Sequence, residues 1–359
     1  MIYVVAGTRP NFMKIAPIVR ELRVRATPFR LMHTGQHFDE AMSDVFFRDL
    51  GIPEPDVRLH AGGGTHAEQT AAVLVGVEKD LMAHRPDVVV VVGDVTSTLA
   101  AALGAAKLGI RVAHVEAGLR SRDWSMPEEI NRVLTDRLSD LLLTPSRDAE
   151  PNLVAEGIPK ERIRFVGNVM IDSLHYARSN PTDALARFDV APKKFAVATL
   201  HRPVNVDTKE SLARTLDALD PVAARMPLLF PVHPRTVARA ESFGLAPRLR
   251  TTPNLRAVDP IGYRDFVTLM SSATVVLTDS GGIQEETTAL GIPCLTMRES
   301  TERPITVTEG TNVIVNLDAR RIAEELDRIA DGGAKGTVPE GWDGKAAARI
   351  VTALAELVG

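Results

Sequence analysis

Val275-Val276-Leu277-Thr278-Asp279-Ser280-Gly281-Gly282-Ile283-Gln284-Glu285-Glu286 is a β-branched apolar run that breaks into Asp-Ser-Gly-Gly and resumes as a helical pattern. Gly291 and Pro293 stop that helix. A buried strand feeding a helix through a short polar turn is the repeating unit of a parallel α/β sheet. Ser280 is a suitable N-cap, and Gly281 and Gly282 let a ligand approach bare backbone N–H groups. A helix start carries unpaired donors and partial positive charge, which suits a phosphate. Glu286, one turn further on, has the acceptors for two ribose hydroxyls.

The same alternation runs outward in both directions. Strands are expected at 2–6, 29–34, 87–93, 111–115, 140–144 and 162–166, with helices at 12–24 and 67–84 among them. A less regular stretch at 169–193 contains Asn180-Pro181 and Ala191-Pro192. The pattern then restarts, with strands at 195–200, 228–232, 274–278, 293–297 and 312–315. The reading is α/β, with two doubly wound Rossmann-like domains, 1–168 and 169–343, and a final helix near 344–358. Crevices at the carboxyl ends of such sheets bind ligands, and two of them would face each other.

Composition bounds the function. The 359 residues are 45% hydrophobic and 25% charged, with net charge −4, which argues against nucleic acid as the main partner. No apolar run, Val88 to Val92 included, approaches the length of a membrane span. The start, Met1-Ile2-Tyr3-Val4-Val5, has no basic leader pattern, and the single Cys294 sits in an apolar run; both fit a reducing cytoplasm.

Polar residues gather where strands end. Gly7-Thr8-Arg9-Pro10 opens the first helix, and Arg9 and Lys14 put cations by its already positive end, so an anionic ligand is expected there. Asp94 follows the third strand in this half and Glu116 the fourth. Asp94 would cap the next helix if it had no other task. A carboxylate just after a buried strand, like Glu116, needs a partner or a task. His114-Val115-Glu116 is a fragment of a metal motif, but no cysteine pair completes it. Ser125-Met126-Pro127-Glu128 reads most simply as a capping box. In the second half, His201-Arg202 and His233-Pro234-Arg235 end neighbouring strands and are suited to a diphosphate. Arg298 and Arg303 add positive charge. Gly62-Gly63-Gly64 follows no strand, and no Gly-x-Gly-x-x-Gly ends one, which counts against NAD.

Taken together, Gly7-Thr8-Arg9-Pro10, Thr34-Gly35-Gln36-His37, Gly93-Asp94, His114-Val115-Glu116-Ala117-Gly118-Leu119-Arg120, Pro127-Glu128-Glu129-x-Asn131-Arg132, Gly167-Asn168, His201-Arg202, Pro231-Val232-His233, Thr278-Asp279-Ser280-Gly281-Gly282-x-Gln284-Glu285-Glu286 and Thr301-Glu302-Arg303-Pro304 resemble the motif series of the non-hydrolysing UDP-N-acetylglucosamine 2-epimerases. The motifs occur in family order over nearly the whole chain. The resemblance implies a glycosyltransferase-B architecture whose last helix crosses back to the first domain. It also implies a UDP-sugar in the cleft, no cofactor or metal, and a homodimer. It implies Asp94, Glu116 and Glu128 as acid/base residues and His201 beside them in the catalytic set. Arg9, Lys14, His201, Ser280 and Gly281 would hold the phosphates, with Arg202, His233, Gly282 and Arg303 around them. Glu286 would take the ribose, and Phe266 would lie near the uracil.

Three departures from the family pattern stand out. Asn11 occupies a position that is commonly Glu, and Pro203-Val204 follow His201-Arg202. The two positions implied for a second, activating substrate molecule fall near Asp39 and Glu68, where acids would repel a diphosphate. A glycosyltransferase of the same architecture, a hydrolysing relative and a UDP-sugar sensor would share the 278–286 turn. The glycosyltransferase and the sensor do not account for three acids in one domain, and the motifs resemble the non-hydrolysing branch rather than the hydrolysing one.

Overall fold

The computed structural model describes residues 1–36, 47, 50–333 and 336–359, with Arg9 described by its backbone alone. The chain divides into two units, Met1–His175 with Glu340–Gly359, and Tyr176–Pro339. The boundary falls inside the helix Val169–Arg178, a stretch expected from sequence to be less regular.

Among the described residues, the first unit has seven strands: β1 (Ile2–Ala6), β2 (Phe29–His33), β3 (Val57–Arg58), β4 (Val88–Val92), β5 (Arg111–Val115), β6 (Leu141–Thr144) and β7 (Ile163–Phe165). They lie in the order β3-β2-β1-β4-β5-β6-β7, and every pairing is parallel. The five valines of β4 are wholly buried because helices cover both faces of the sheet. The second unit has β8 (Ala196–Thr199), β9 (Leu228–Pro231), β10 (Leu255–Val258), β11 (Val275–Thr278), β12 (Cys294–Thr296) and β13 (Asn312–Ile314). Their order is β10-β9-β8-β11-β12-β13, again parallel throughout. The α/β class and the two doubly wound sheets expected from sequence are both present. No helix among the described residues is long and apolar enough to cross a membrane.

The last helix, Ala346–Val358, belongs to the first unit. Its opening amides, Ala346 and Ala347, donate to the buried Asp172 carboxylate at 3.1 and 2.8 Å. Arg25, at the end of the Arg9–Val24 helix, reaches its Ala348 carbonyl and Thr352 hydroxyl at 2.9 and 2.8 Å. The approach to this helix is tight: Gly167 has φ +84°, and a Cβ there would sit 2.0 Å from the Gly341 carbonyl oxygen. Backbone cannot yield as a side chain can, so Gly167→Ala is expected to cost about 3 kcal/mol and lower the melting temperature of the first unit by roughly 10 °C. An unchanged calorimetric trace would contradict that packing.

Candidate active site

In both units the candidate residues sit where strand order reverses, between β1 and β4 and between β8 and β11. Connections leave a sheet in opposite directions at such a point and open a crevice beyond the strand ends.

At the first rim, Lys14 forms an ion pair with Glu116, both side chains being buried. One anion facing the Lys14 cation is therefore supplied by the chain itself, 102 residues away. The Arg9 side chain lies outside the described part. Glu116 has φ +72°, a left-handed conformation that costs a non-glycine residue on the order of 1 kcal/mol and that clusters at functional sites. Gly93 lies against this pair, for a Cβ on it would come 2.8 Å from Lys14 Nζ and 3.3 Å from a Glu116 carboxylate oxygen. Asn11 resolves one departure noted above. Its Oδ1 accepts from the Gly7 and Thr8 amides, both at 3.2 Å, and its amide donates to the Val92 carbonyl at 3.0 Å. A carboxylate could accept those bonds but could not donate the last one.

Asp94 is about a quarter exposed and is ion-paired with the buried Arg132. Arg132 also bonds Glu129 at 2.7 Å, and Asn131 donates to the Asp94 carbonyl at 2.9 Å. The helix Pro127–Leu138 is thus fastened to the turn that carries Asp94. Its first turn departs from expectation. Met126, not Ser125, is the N-cap, no side chain caps the helix, and the Ser125 hydroxyl donates to Asp123 at 2.6 Å. No capping box forms, because Pro127 starts the helix one residue later than Ser125 would. Glu128 is exposed, and Glu129 is the structural acid. Glu129 accepts from the Ser121 amide and hydroxyl, both at 2.9 Å, and from the Arg122 amide at 2.8 Å. Burial by itself raises the Glu129 pKa, but these donors and Arg132 outweigh it and lower it.

At the second rim, Asp279 organises the backbone. It is wholly buried and accepts from the His201 amide at 3.0 Å, the Arg202 amide at 2.9 Å and the Asn205 side chain at 3.0 Å. Burial raises its pKa, yet His201 and these donors bring it below the usual value. The His201 ring is half-exposed with Nδ1 3.2 Å from Asp279. Ser280 is the N-cap of the Gly281–Leu290 helix, but no side chain caps that helix. Gly281 and Gly282 open it, half-buried. A Cβ on Gly281 would come 2.9 Å from a Glu302 carboxylate oxygen, so glycine lets this acid lie against the first turn.

The arginines expected to add positive charge are matched in the same way. Glu302 meets Arg298 at 2.7 Å and Arg202 at 3.3 Å, while Arg303 meets Glu285 at 2.8 Å. Burial would raise the Glu302 pKa, but Arg303, Arg298 and Arg202 hold it at about 2. His233 is exposed at the N-cap of the Pro234–Ser242 helix, where its Nδ1 accepts from the Arg235 amide at 3.2 Å. Phe266 is half-buried on the helix Tyr263–Ser272.

Sequence reasoning missed Asp279 as an organiser, Glu302 as the centre of the arginines, and Tyr263. Tyr263 donates to Glu286 at 2.7 Å, both groups being buried. Of these, Asp279 and Glu302 lay inside quoted motifs, Thr278-Asp279-Ser280 and Thr301-Glu302-Arg303-Pro304, while Tyr263 had no such signal. Asp39 lies outside the described residues. Glu68 caps the His66–His84 helix, accepting from the Thr65 amide at 2.7 Å.

Glu286 carries a pH signature. Burial raises its pKa from 4.5 to about 7, opposed by the Tyr263 hydrogen bond and reinforced by Glu285. Between those two values the folded chain holds a proton that the unfolded chain releases. The contribution is therefore fully present below pH 4.5 and is lost as pH rises through about 7. Denaturant unfolding of the wild type is expected to lose on the order of 3 kcal/mol across that window relative to Glu286→Gln. Parallel pH profiles for the two proteins would refute it.

Residues 20–355 match the family model described as UDP-N-acetylglucosamine 2-epimerase. The chain is 40% identical over 358 residues to the UDP-N-acetylglucosamine 2-epimerase of Methanocaldococcus jannaschii, covering 98% of each. It is 39% identical over 363 residues to the UDP-2,3-diacetamido-2,3-dideoxy-D-glucuronate 2-epimerase of Pseudomonas aeruginosa, covering 99% of each. The crystal structure of the M. jannaschii UDP-GlcNAc 2-epimerase in complex with UDP-GlcNAc and UDP matches it with a TM-score of 0.89 over 99% of both chains, at 40% identity.

Proposed function

The chain belongs to the UDP-N-acetylglucosamine 2-epimerase family, and from that membership we propose that it interconverts UDP-N-acetylglucosamine and UDP-N-acetylmannosamine. The observation that carries the reading is the first rim, where Asp94 and Glu116 flank Gly93 and the helix bearing Glu128 is tied to the Asp94 carbonyl.

The chemistry needs such a set. No carbonyl adjoins C2 of an N-acetyl sugar, so its hydrogen is not acidic. If the C1–O bond breaks first, its electron pair leaves with the diphosphate and C1 gains cationic character. A carboxylate then takes the C2 proton, and the C2–H electrons form the C1=C2 bond of 2-acetamidoglucal. The diphosphate adds back to C1 while a second carboxyl group delivers a proton to the opposite face of C2. Two carboxyl groups in opposite protonation states suffice. Asp94, Glu116 and Glu128 are the candidates for those two roles.

The leaving diphosphate gains charge as the bond breaks, and donors fixed in advance favour that state. Ser280, Gly281 and Gly282 at a helix start supply backbone amides, His201, Arg202 and His233 supply side-chain donors, and Lys14 and Arg9 add cations. Arg303 supports the turn through Glu285. Glu286 receives the ribose, with Tyr263 fixing one of its oxygens, and Phe266 contacts the uracil. The reaction consumes no redox cofactor, since no net oxidation occurs.

A second sugar is favoured by the Pseudomonas relative, which is as similar as the methanococcal one. Incubating the enzyme with UDP-N-acetylglucosamine and, separately, with UDP-2,3-diacetamido-2,3-dideoxyglucuronate, followed by proton NMR of the anomeric region, decides between them. Appearance of UDP-N-acetylmannosamine is expected. Turnover of the uronate alone would keep the mechanism and replace the substrate, and silence with both would overturn the reading.

A further inference from the structure

His114 belongs to a motif whose acid the mechanism uses and whose histidine it does not. The ring lies on β5, an interior strand next to β4, and is wholly buried. Its Nε2 is 2.8 Å from the Gly93 carbonyl, which can only accept, so Nε2 donates there. Its Nδ1 is 2.6 Å from one Asp136 carboxylate oxygen. The other Asp136 oxygen accepts from the Gly118 amide at 3.1 Å and the Arg120 guanidinium at 2.8 Å.

Each of these bonds ends on a segment that carries one of the three acids. The Gly93 carbonyl belongs to the peptide leading into Asp94, and the Gly93 amide is held by the Val115 carbonyl at 3.1 Å. That turn is therefore fixed to β5 through both its amide and its carbonyl. Gly118 lies two residues past Glu116, and Asp136 lies on the helix that begins beside Glu128. A core histidine that only satisfied its own polar atoms would have no reason to reach all three.

We propose that His114 is a positioning residue: its ring sets the spacing between Asp94 and Glu116 across the Gly93 turn and, through Asp136, the placement of the helix that presents Glu128. The proposal rests on the epimerase reading above. Proton transfer is steep in distance, and a displacement near 1 Å costs on the order of 100-fold in rate.

Two substitutions separate the two arms of the ring. The amide of His114→Gln reaches the Nε2 position and keeps the donor to Gly93, whereas the amide of His114→Asn stands near Nδ1 and keeps only the Asp136 arm. The expected result is a kcat lowered about 100-fold in His114→Asn and less than about tenfold in His114→Gln. KM and the calorimetric affinity for UDP should change less than about threefold in both. Equal kcat in wild type and His114→Asn, with only the melting temperature lowered, overturns the positioning role while leaving the epimerase reading intact. A wild type that does not epimerise overturns both. Should His114→Asn fail to fold, Asp136→Asn is expected to lower kcat about tenfold at unchanged KM, and an unchanged kcat there refutes the proposal.

Discussion

Glu128→Gln is expected to lower kcat by about 10²- to 10⁴-fold while leaving the melting temperature and the affinity for UDP close to wild type. The separation of activity from stability follows from the first turn of its helix. Glu128 is exposed, the N-cap is Met126, and Ser125 is occupied with Asp123. Removing the charge therefore breaks no cap, and an exposed substitution of this kind changes stability by only about 0.5 kcal/mol. The neighbouring Glu129→Gln is a useful contrast. It disturbs donors from Ser121 and Arg122 and leaves the buried Arg132 less compensated, so it should unfold at lower temperature. Glu116→Gln combines both effects, because it removes an acid and strands the buried Lys14. Normal turnover by Glu128→Gln would take that residue out of the mechanism.

In deuterium oxide, product and recovered substrate are both expected to carry solvent deuterium at C2, approaching full replacement at equilibrium. In the proposed elimination the C2 hydrogen passes to a carboxyl group, and the returning proton comes from a different one on the opposite face. Asp94 is partly exposed and Glu128 exposed, so protons on them exchange with water between turnovers. Mass spectrometry gains one unit per molecule, and proton NMR loses the C2 signal. Retention of the original hydrogen through many turnovers would exclude elimination and require a transfer that never releases it.

The fold was legible where local chemistry repeats. Short apolar runs ending at polar or turn residues marked eleven of the strands within a residue or two at each end, because burial on both faces makes such runs continuous. β3 and β10 escaped. The first has only Val57 and Arg58, and the second, Leu255–Val258, is an edge strand whose side chains are only partly covered beyond Leu255. Rim positions were legible for the same reason as the strands, since they come next in the chain. Pairings were not. Lys14 with Glu116, His114 with Asp136 and Tyr263 with Glu286 join residues that no period links, and only the folded sheet brings them within reach. The capping-box reading failed because Pro127 moved the helix start, an outcome that Ser-x-x-Glu spacing does not reveal.

The return of the last helix to the first unit has a consequence for synthesis. The strands of that unit leave the ribosome before Tyr176–Pro339, but Glu340–Gly359 leave it only afterwards. At roughly 5–20 residues per second, the nascent chain spends about 10–40 s between completing His175 and completing Gly359. Throughout that interval Asp172 lacks the Ala346 and Ala347 amides, Arg25 lacks its Thr352 partner, and Gly167 has no Gly341 to meet. The second unit, Tyr176–Pro339, is continuous in the chain and emerges whole before the first can be finished. Of the two units, the one whose synthesis begins earlier is thus the one completed later.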